Sequence, residues 1–318
     1  MRLFWAAAAL ALALAGCGGG GSSAGAGERV SLMLDFFPNA DHAGIYAAEA
    51  GGHFEMEGLH VQIRTPSDPS VPLKLLAAGK ADLAVSYEPE VLRARDKGLP
   101  VVAVAALVRV PLTSIVSLPR AGIKTPTDLR GKTVGTAGID YQSAYLKAIA
   151  PAGVKERNVG FDLVPALVSG KVDAVLGAYW NYEAVQLAQK GRDPQVIRIE
   201  QAGVPTYDEL VIAASEAEVR DHPERIRKFL RALAAGTEDL ASKPGDALLA
   251  ANRDLDPKLQ KAAIKATLPY FRPLPGRPYG YMDPGEWSAF TDFLSRNALL
   301  KRVKAGAFTN ELLPAAGG

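Results

Sequence analysis

One cysteine, Cys17, is all the chain has in 318 residues, so an intrachain disulfide, a cysteine-based metal centre and a CxxC redox pair are excluded. Histidine is scarce too. His42, His53, His60 and His222 are scattered, and there is no H-E-x-x-H pair, no G-x-S-x-G elbow and no Walker-type phosphate loop. The usual residues of metal-dependent or nucleophilic catalysis are therefore missing, and the reading is a protein that is not an enzyme and needs neither metal nor cofactor. Charge of one sign is also missing: 36 basic against 34 acidic side chains leave a formal +2, without the basic clusters that nucleic acid recruits. What is present, 48% hydrophobic and 22% charged residues, matches an ordinary globular composition, and the length admits two domains.

The longest apolar run, Leu3 to Ala15, is about 13 residues, short of the roughly 20 that cross a bilayer as a helix. With Arg2 before it and Leu14-Ala15-Gly16-Cys17 after it, residues 1–16 read as a signal peptide whose end resembles the lipobox of bacterial lipoproteins, with Cys17 as the lipidated residue. The alternative is a plain secretory signal with an incidental cysteine. Residues 18–27, GGGGSSAGAG, carry no side chain that can join a core and form a flexible tether of roughly 17 Å. The expected address is the outer face of a bacterial cell membrane, held by lipid.

From Val30 onward, short apolar strands alternate with helical stretches. Strands are expected at 30–37, 61–64, 81–86 and 101–108, and helices at 43–57, 72–78 and 88–97. The pattern restarts with strands at 112–118, 133–136, about 159–163, 174–178 and 195–200, and helices at 141–150, before 169 and at 182–190. After Ser215 the chain is mainly helical, over 223–240, 244–252, 257–267 and 284–297, most of these beginning at proline. Such βαβα order with solid apolar strands predicts an α/β fold with mostly parallel sheets covered on both faces. Lobe 1 is expected over 28–112 plus 215–318, with helices bracing it, and lobe 2 over 113–214, with 109–113 as one hinge strand and 209–214 as the return. The phrases LAAGKAD at 76–82 and LVSGKVD at 167–173 echo each other, and the preferred reading is a repeated helix-to-strand turn.

Ligands of doubly wound sheets bind beyond the carboxyl ends of the strands. Those ends carry Asp35 to His42, Ser86 to Glu88, Thr136 to Tyr141 and Tyr179 to Glu183. The first is the densest polar and aromatic cluster, with Asp35, Phe36, Asn39 and His42 favoured as ligand contacts and Asp41 favoured as a turn or N-cap residue. In the last, Trp180, Tyr182 and Glu183 supply flat faces for stacking and groups that hydrogen-bond ring nitrogens and amines, whereas Tyr179 is expected in the core. Gly138, in a loop before a helix, and Tyr141 complete the candidates.

The stretches LDFFPNADHAGIYAAE at 34–49, GHFEMEGLHV at 52–61 and SYEPE at 86–90 resemble the thiamine-pyrimidine family, which holds solute-binding lipoproteins of ABC transporters and related fungal pyrimidine synthases. The resemblance implies a type II periplasmic-binding-protein fold, two doubly wound lobes joined by hinge strands with a ligand cleft between them. It implies a thiamine pyrimidine precursor, formyl-aminopyrimidine or hydroxymethylpyrimidine, as ligand, an ABC permease as partner, and a monomer. By motif match it makes Asn39, His42, Ser86, Tyr87, Glu88, Tyr182 and Glu183 candidate contacts. Phe36 and Asp41 depart from the family pattern, which has Trp and Asn there, so riboflavin or another small solute is the alternative ligand. The rival from another class is a pyrimidine synthase, whose cysteine-rich iron motif this chain lacks.

Overall fold

The computed structural model describes residues 27–302 and 305–315; the signal stretch, Cys17 and most of the tether lie outside the described residues. Its strands are β1 (Glu28–Met33), β2 (Leu59–Arg64), β3 (Leu83–Ser86), β4 (Val101–Val108), β5 (Thr113–Ser117), β6 (Thr133–Thr136), β7 (Lys155–Asn158), β8 (Ala174–Tyr179), β9 (Gln195–Arg198) and β10 (Leu210–Ser215). They form two five-stranded sheets of matching order, β2-β1-β3-β10-β4 and β7-β6-β8-β5-β9. Within each, four strands run parallel, and the strand that arrives from the other sheet, β10 or β5, lies antiparallel between its neighbours. The exchange is reciprocal. The chain leaves the first sheet after β4 and returns to it as β10, so two crossovers, 109–112 and 199–209, join the lobes.

This corrects two expectations. Residues 210–214, expected as the return hinge strand and counted with lobe 2, pair with β3 and β4 of the first sheet. Strand pairing is a long-range property, and LVIAA carries no mark of which sheet it joins. The strand expected at about 159–163 lies at 155–158 instead, as the fully exposed KERN of β7. It bonds to β6 on one side only, and an edge strand with charged side chains has no apolar pattern to read.

Burial explains the rest. The apolar β4, VVAVAALV, is buried along its whole length, as a strand covered on both faces must be. Its edge is closed by the C-terminal segment, where Ala103 donates its N–H to Ala307 O and Thr309 donates to Ala103 O, both at 2.9 Å. The helix expected at 43–57 divides into Ala43–Ala50 and His53–Met56 because Gly52 takes a left-handed φ of 70° between them. Helix Pro223–Asp239 buries Ile226, Phe229, Leu230 and Leu233 and braces the first lobe, with Phe229 stacked on Phe54 at 5.1 Å. The two echoed phrases do the same job in each lobe: Asp82 Oδ2 accepts the N–H of Ser31 at 2.7 Å, and Asp173 Oδ2 accepts that of Thr133 at 2.8 Å.

Helix Pro257–Phe271 touches both lobes. It packs on the turn Ala40–His42 of the first and on helix Glu183–Gln189 of the second. It runs one turn beyond the expected end, and Arg109 of a crossover donates to the carbonyls of Pro269 and Arg272 at its close.

Candidate ligand-binding site

A narrow cleft lies where the carboxyl ends of β1, β3, β6 and β8 meet. The first lobe lines it with Asp35, Phe36, Asn39, Asp41 and Tyr87. From the second lobe come Tyr141, Gln142, Gly177, Tyr179, Tyr182 and Glu183, with Ala137, Ile139 and Leu163 as apolar wall. Three carboxyl groups and five aromatic rings thus converge on a cleft that, among the described residues, no Lys, Arg or His lines.

The first-lobe wall is held by short bonds. Asp35, just past β1, receives His42 Nε2 on Oδ1 at 2.7 Å and the Tyr87 hydroxyl on Oδ2 at 2.5 Å. Asn39 caps the following turn by accepting the N–H of Asp41 at 2.8 Å, while its own N–H donates to His42 Nδ1 at 3.3 Å. His42 therefore engages Asp35 and the Asn39 backbone through its two ring nitrogens. Phe36 packs against Phe37 and against Phe161 of the second lobe, each at 4.5 Å between ring centres.

On the second-lobe wall, Glu183 opens a helix and accepts the Tyr179 N–H on Oε2 at 2.7 Å. Tyr182 OH accepts Gln260 Nε2 at 2.9 Å from the long C-terminal helix. Gln142 Oε1 accepts the Ala137 N–H at 2.7 Å, which turns its amide nitrogen toward β8. There Gly177 makes room: a Cβ at this position would meet Gln142 Nε2 at 2.2 Å. Gly177 has φ +101° and sits where the β5–β8 register slips, between Ala178 opposite Ser114 and Leu176 opposite Ile115.

Burial tunes the titrating groups. It pushes the Asp41 carboxyl up to about 6 and the Glu183 carboxyl up to about 7, and for Asp41 the neighbouring His42 acts in the opposite sense. The phenols of Tyr87, Tyr141 and Tyr179 are raised well above their ordinary value by burial and so remain neutral hydrogen-bonding groups at physiological pH.

Of the residues singled out in the sequence, Asp35, Phe36, Asn39, Tyr87, Tyr141, Tyr182 and Glu183 line the cleft. Five do not. His42 is fully buried behind Asp35, as a positioning group. Ser86 turns away to donate to Glu90 Oε2 at 2.7 Å, and Glu88 turns to the other crossover, accepting the Asp208 N–H at 2.8 Å. Gly138 faces a separate cavity shared with Arg93, Lys97 and Asp140. Trp180 donates Nε1 to Pro111 O at 3.0 Å and lies under the Arg198 guanidinium, 4.2 Å from the ring centre, so it buttresses a crossover.

Four further residues line the cleft: Gln142 and Gly177, on which the sequence raises no expectation, and Asp41 and Tyr179, expected as a turn residue and a core residue. A glycine inside an apolar strand signals a bulge or a close approach, so Gly177 was legible. Tyr179 ends β8 partly buried rather than in the core, and nothing local distinguishes the two fates. Asp41 was read as a turn residue, but the capping side chain is that of Asn39.

Two lobes, two reciprocal crossovers and a cleft at the strand ends define the periplasmic-binding-protein fold. The structure resembles the alkanesulfonate-binding protein of Xanthomonas axonopodis pv. citri with a TM-score of 0.68 at 15% identity, over 89% of this chain and 98% of that one. The chain belongs to the NMT1/THI5 like family, whose pattern matches residues 39–247. It is 37% identical over 298 residues to the formylaminopyrimidine-binding protein of Halalkalibacterium halodurans, covering 89% of this chain and 90% of that one. It is 36% identical over 288 residues to a putative thiamine biosynthesis protein of Haemophilus influenzae, covering 87% and 90%. More distant is the 4-amino-5-hydroxymethyl-2-methylpyrimidine phosphate synthase of Uromyces fabae, 25% identical over 90% of this chain and 88% of that one.

Proposed function

We propose that this chain is the extracytoplasmic receptor of an ABC importer and captures a thiamine pyrimidine precursor, formyl-aminopyrimidine or hydroxymethylpyrimidine. The observation that carries this reading is the cleft wall, three carboxyl groups among five aromatic rings with no cationic side chain. Rings sandwich a flat heterocycle, and carboxyl oxygens accept from its amino and protonated ring nitrogens. A sulfonate or other anion would find carboxyl groups there and no cationic side chain to pair with. The 37% identical relative named for formylaminopyrimidine supports the same ligand class.

Ligand contacts from both lobes stabilise a closed arrangement, hinged at 109–112 and 199–209, that a membrane permease recognises. Among the described residues no helix is long and apolar enough to cross a membrane, and the proposed anchor is a lipid on Cys17, with the receptor acting as a monomer. Replacing Cys17 by Ala is expected to release the protein from the membrane fraction.

Binding is favoured over pyrimidine synthesis because His42, the histidine nearest the cleft, engages Asp35 and the Asn39 N–H and lies behind the cleft wall. Thermal shift with formyl-aminopyrimidine, hydroxymethylpyrimidine, thiamine and riboflavin tests the reading. The melting temperature should rise with the concentration of one of the first two, since a ligand that binds only the folded form stabilises it. No shift with any of the four would end the heterocycle assignment, and a response to riboflavin alone would favour the other small-solute reading.

A further inference from the structure

Asp41 lines the floor of the cleft at 1% exposure, and its two oxygens differ in what they meet. Oδ1 accepts Asn181 Nδ2 from the second lobe at 2.8 Å, whereas Oδ2 is buried without a partner. The orientation of Asn181 follows from its contacts. Its Nδ2 also donates to Thr267 Oγ1 at 2.6 Å, and Ala263 O, at 2.9 Å, is an acceptor for the proton of that hydroxyl. The Asp41 carboxylate oxygen draws the amide nitrogen to this side, which leaves Asn181 Oδ1 also buried and unpartnered. Two orphaned acceptors on one hydrogen-bonded chain across the lobes are unfavourable until a donor reaches them.

We propose that Asp41 Oδ2 is the subsite that selects ligands carrying an N–H donor, taking the exocyclic amino group of an aminopyrimidine and rejecting the 4-oxo counterpart, and that Asn181 is the residue that positions this carboxylate. The inference deepens the pyrimidine-receptor reading and rests on it. A carboxylate oxygen accepts an amino hydrogen, but set against a ring carbonyl it places two acceptors face to face. Because Oδ1 is tied to the opposite lobe, an amino group on Oδ2 also satisfies a buried atom at the seam, so recognition and closure act at one residue.

The test is isothermal titration at pH 7.5 with 4-amino-5-hydroxymethyl-2-methylpyrimidine and its 4-oxo analogue, using the wild-type protein, Asp41→Asn and Asn181→Ala. The wild type should prefer the amino ligand by roughly 10- to 100-fold, the range for a hydrogen bond to a charged group. Asp41→Asn should bring that ratio close to one while the ligand-free melting temperature is kept, and Asn181→Ala should weaken the amino ligand more than the oxo one. A ratio unchanged in Asp41→Asn overturns the subsite and leaves the receptor reading standing. If the wild type binds neither pyrimidine, the receptor reading fails, and benzamidine then tests the subsite alone: binding abolished by Asp41→Asn upholds it, and binding that survives, or none at all, overturns it. Should the asparagine variant not fold, Asp41→Ala takes its place with the same expected loss of preference.

Discussion

Glu209, at the end of one crossover, accepts the backbone N–H of Thr113, at the end of the other, on Oε2 at 2.7 Å. The same oxygen takes the Leu112 N–H at 2.6 Å and Tyr207 OH at 3.0 Å, and Oε1 takes Thr113 Oγ1 at 2.8 Å. One side chain thus clasps both hinge segments beside the cleft.

Glu209→Ala should strand two buried backbone donors and two hydroxyls. A loss of about 3–5 kcal/mol in unfolding free energy by urea titration is expected, the scale for removing one partner from a buried charged network. A loss below 1 kcal/mol would mean that water replaces the carboxylate and that the hinge has no clasp.

Glu183 and Trp180 are three residues apart and should separate cleanly. Glu183→Gln is expected to weaken pyrimidine binding by roughly 10- to 100-fold with little change in melting temperature, because it alters an acceptor in the cleft wall. Trp180→Ala should lower stability by about 2–4 kcal/mol through lost packing on Pro111, Arg198 and Tyr270, and leave affinity within about threefold. Calorimetry and thermal melts on the two variants distinguish these outcomes.

Gly177→Ala carries two penalties, a left-handed φ and a Cβ driven against the Gln142 amide. We expect a destabilisation of about 1–3 kcal/mol and a binding loss of at least roughly tenfold as Gln142 leaves the Ala137 N–H. Wild-type affinity in this variant would show that Gln142 has no part in the site.

Alkaline pH should weaken the ligand-free protein. Burial raises the carboxyl of Asp41 to about 6 and those of Glu90, Glu183 and Glu209 to about 7, and Glu88 is raised in the same direction. These folded-state values exceed those of the unfolded chain, so the folded state holds its protons more tightly. The associated stability is fully present below about pH 4 and is lost as pH rises through 6 to 7. A melting temperature lower at pH 8 than at pH 5 by about 5–10 °C is expected, and scanning calorimetry of wild type and Asp41→Asn measures how much of it belongs to the cleft.

Much of this was legible in the chain. Periodicity located β4 and β6 to the residue, and the echoed LAAGKAD and LVSGKVD disclosed two similar lobes, because local turns and buried strands leave local marks. What escaped depends on distance along the chain. The sheet that β10 joins and the contacts that draw Ser86, Glu88 and Trp180 away from the cleft are set by partners such as Asp208 and Pro111. Asp41 shows the same limit: its sequence neighbours suggest a turn, and only Asn181, far along the chain, gives it another role.

The long C-terminal helix has a bearing on how the protein responds to its solute. Gln260 on Tyr182 and Thr267 on Asn181 join this helix to the second-lobe binding loop, and Arg93 and Lys97 reach Asp140 across the same seam. These bonds tie the lobes together in the arrangement described, and under the receptor reading they bias the protein toward it before any solute arrives. Apparent affinity equals intrinsic affinity scaled by the fraction of molecules already competent to bind. Under the proposed receptor reading, loosening the helix by Gln260→Ala would therefore shift the apparent affinity for the solute, acting through the Tyr182 hydroxyl that Gln260 holds.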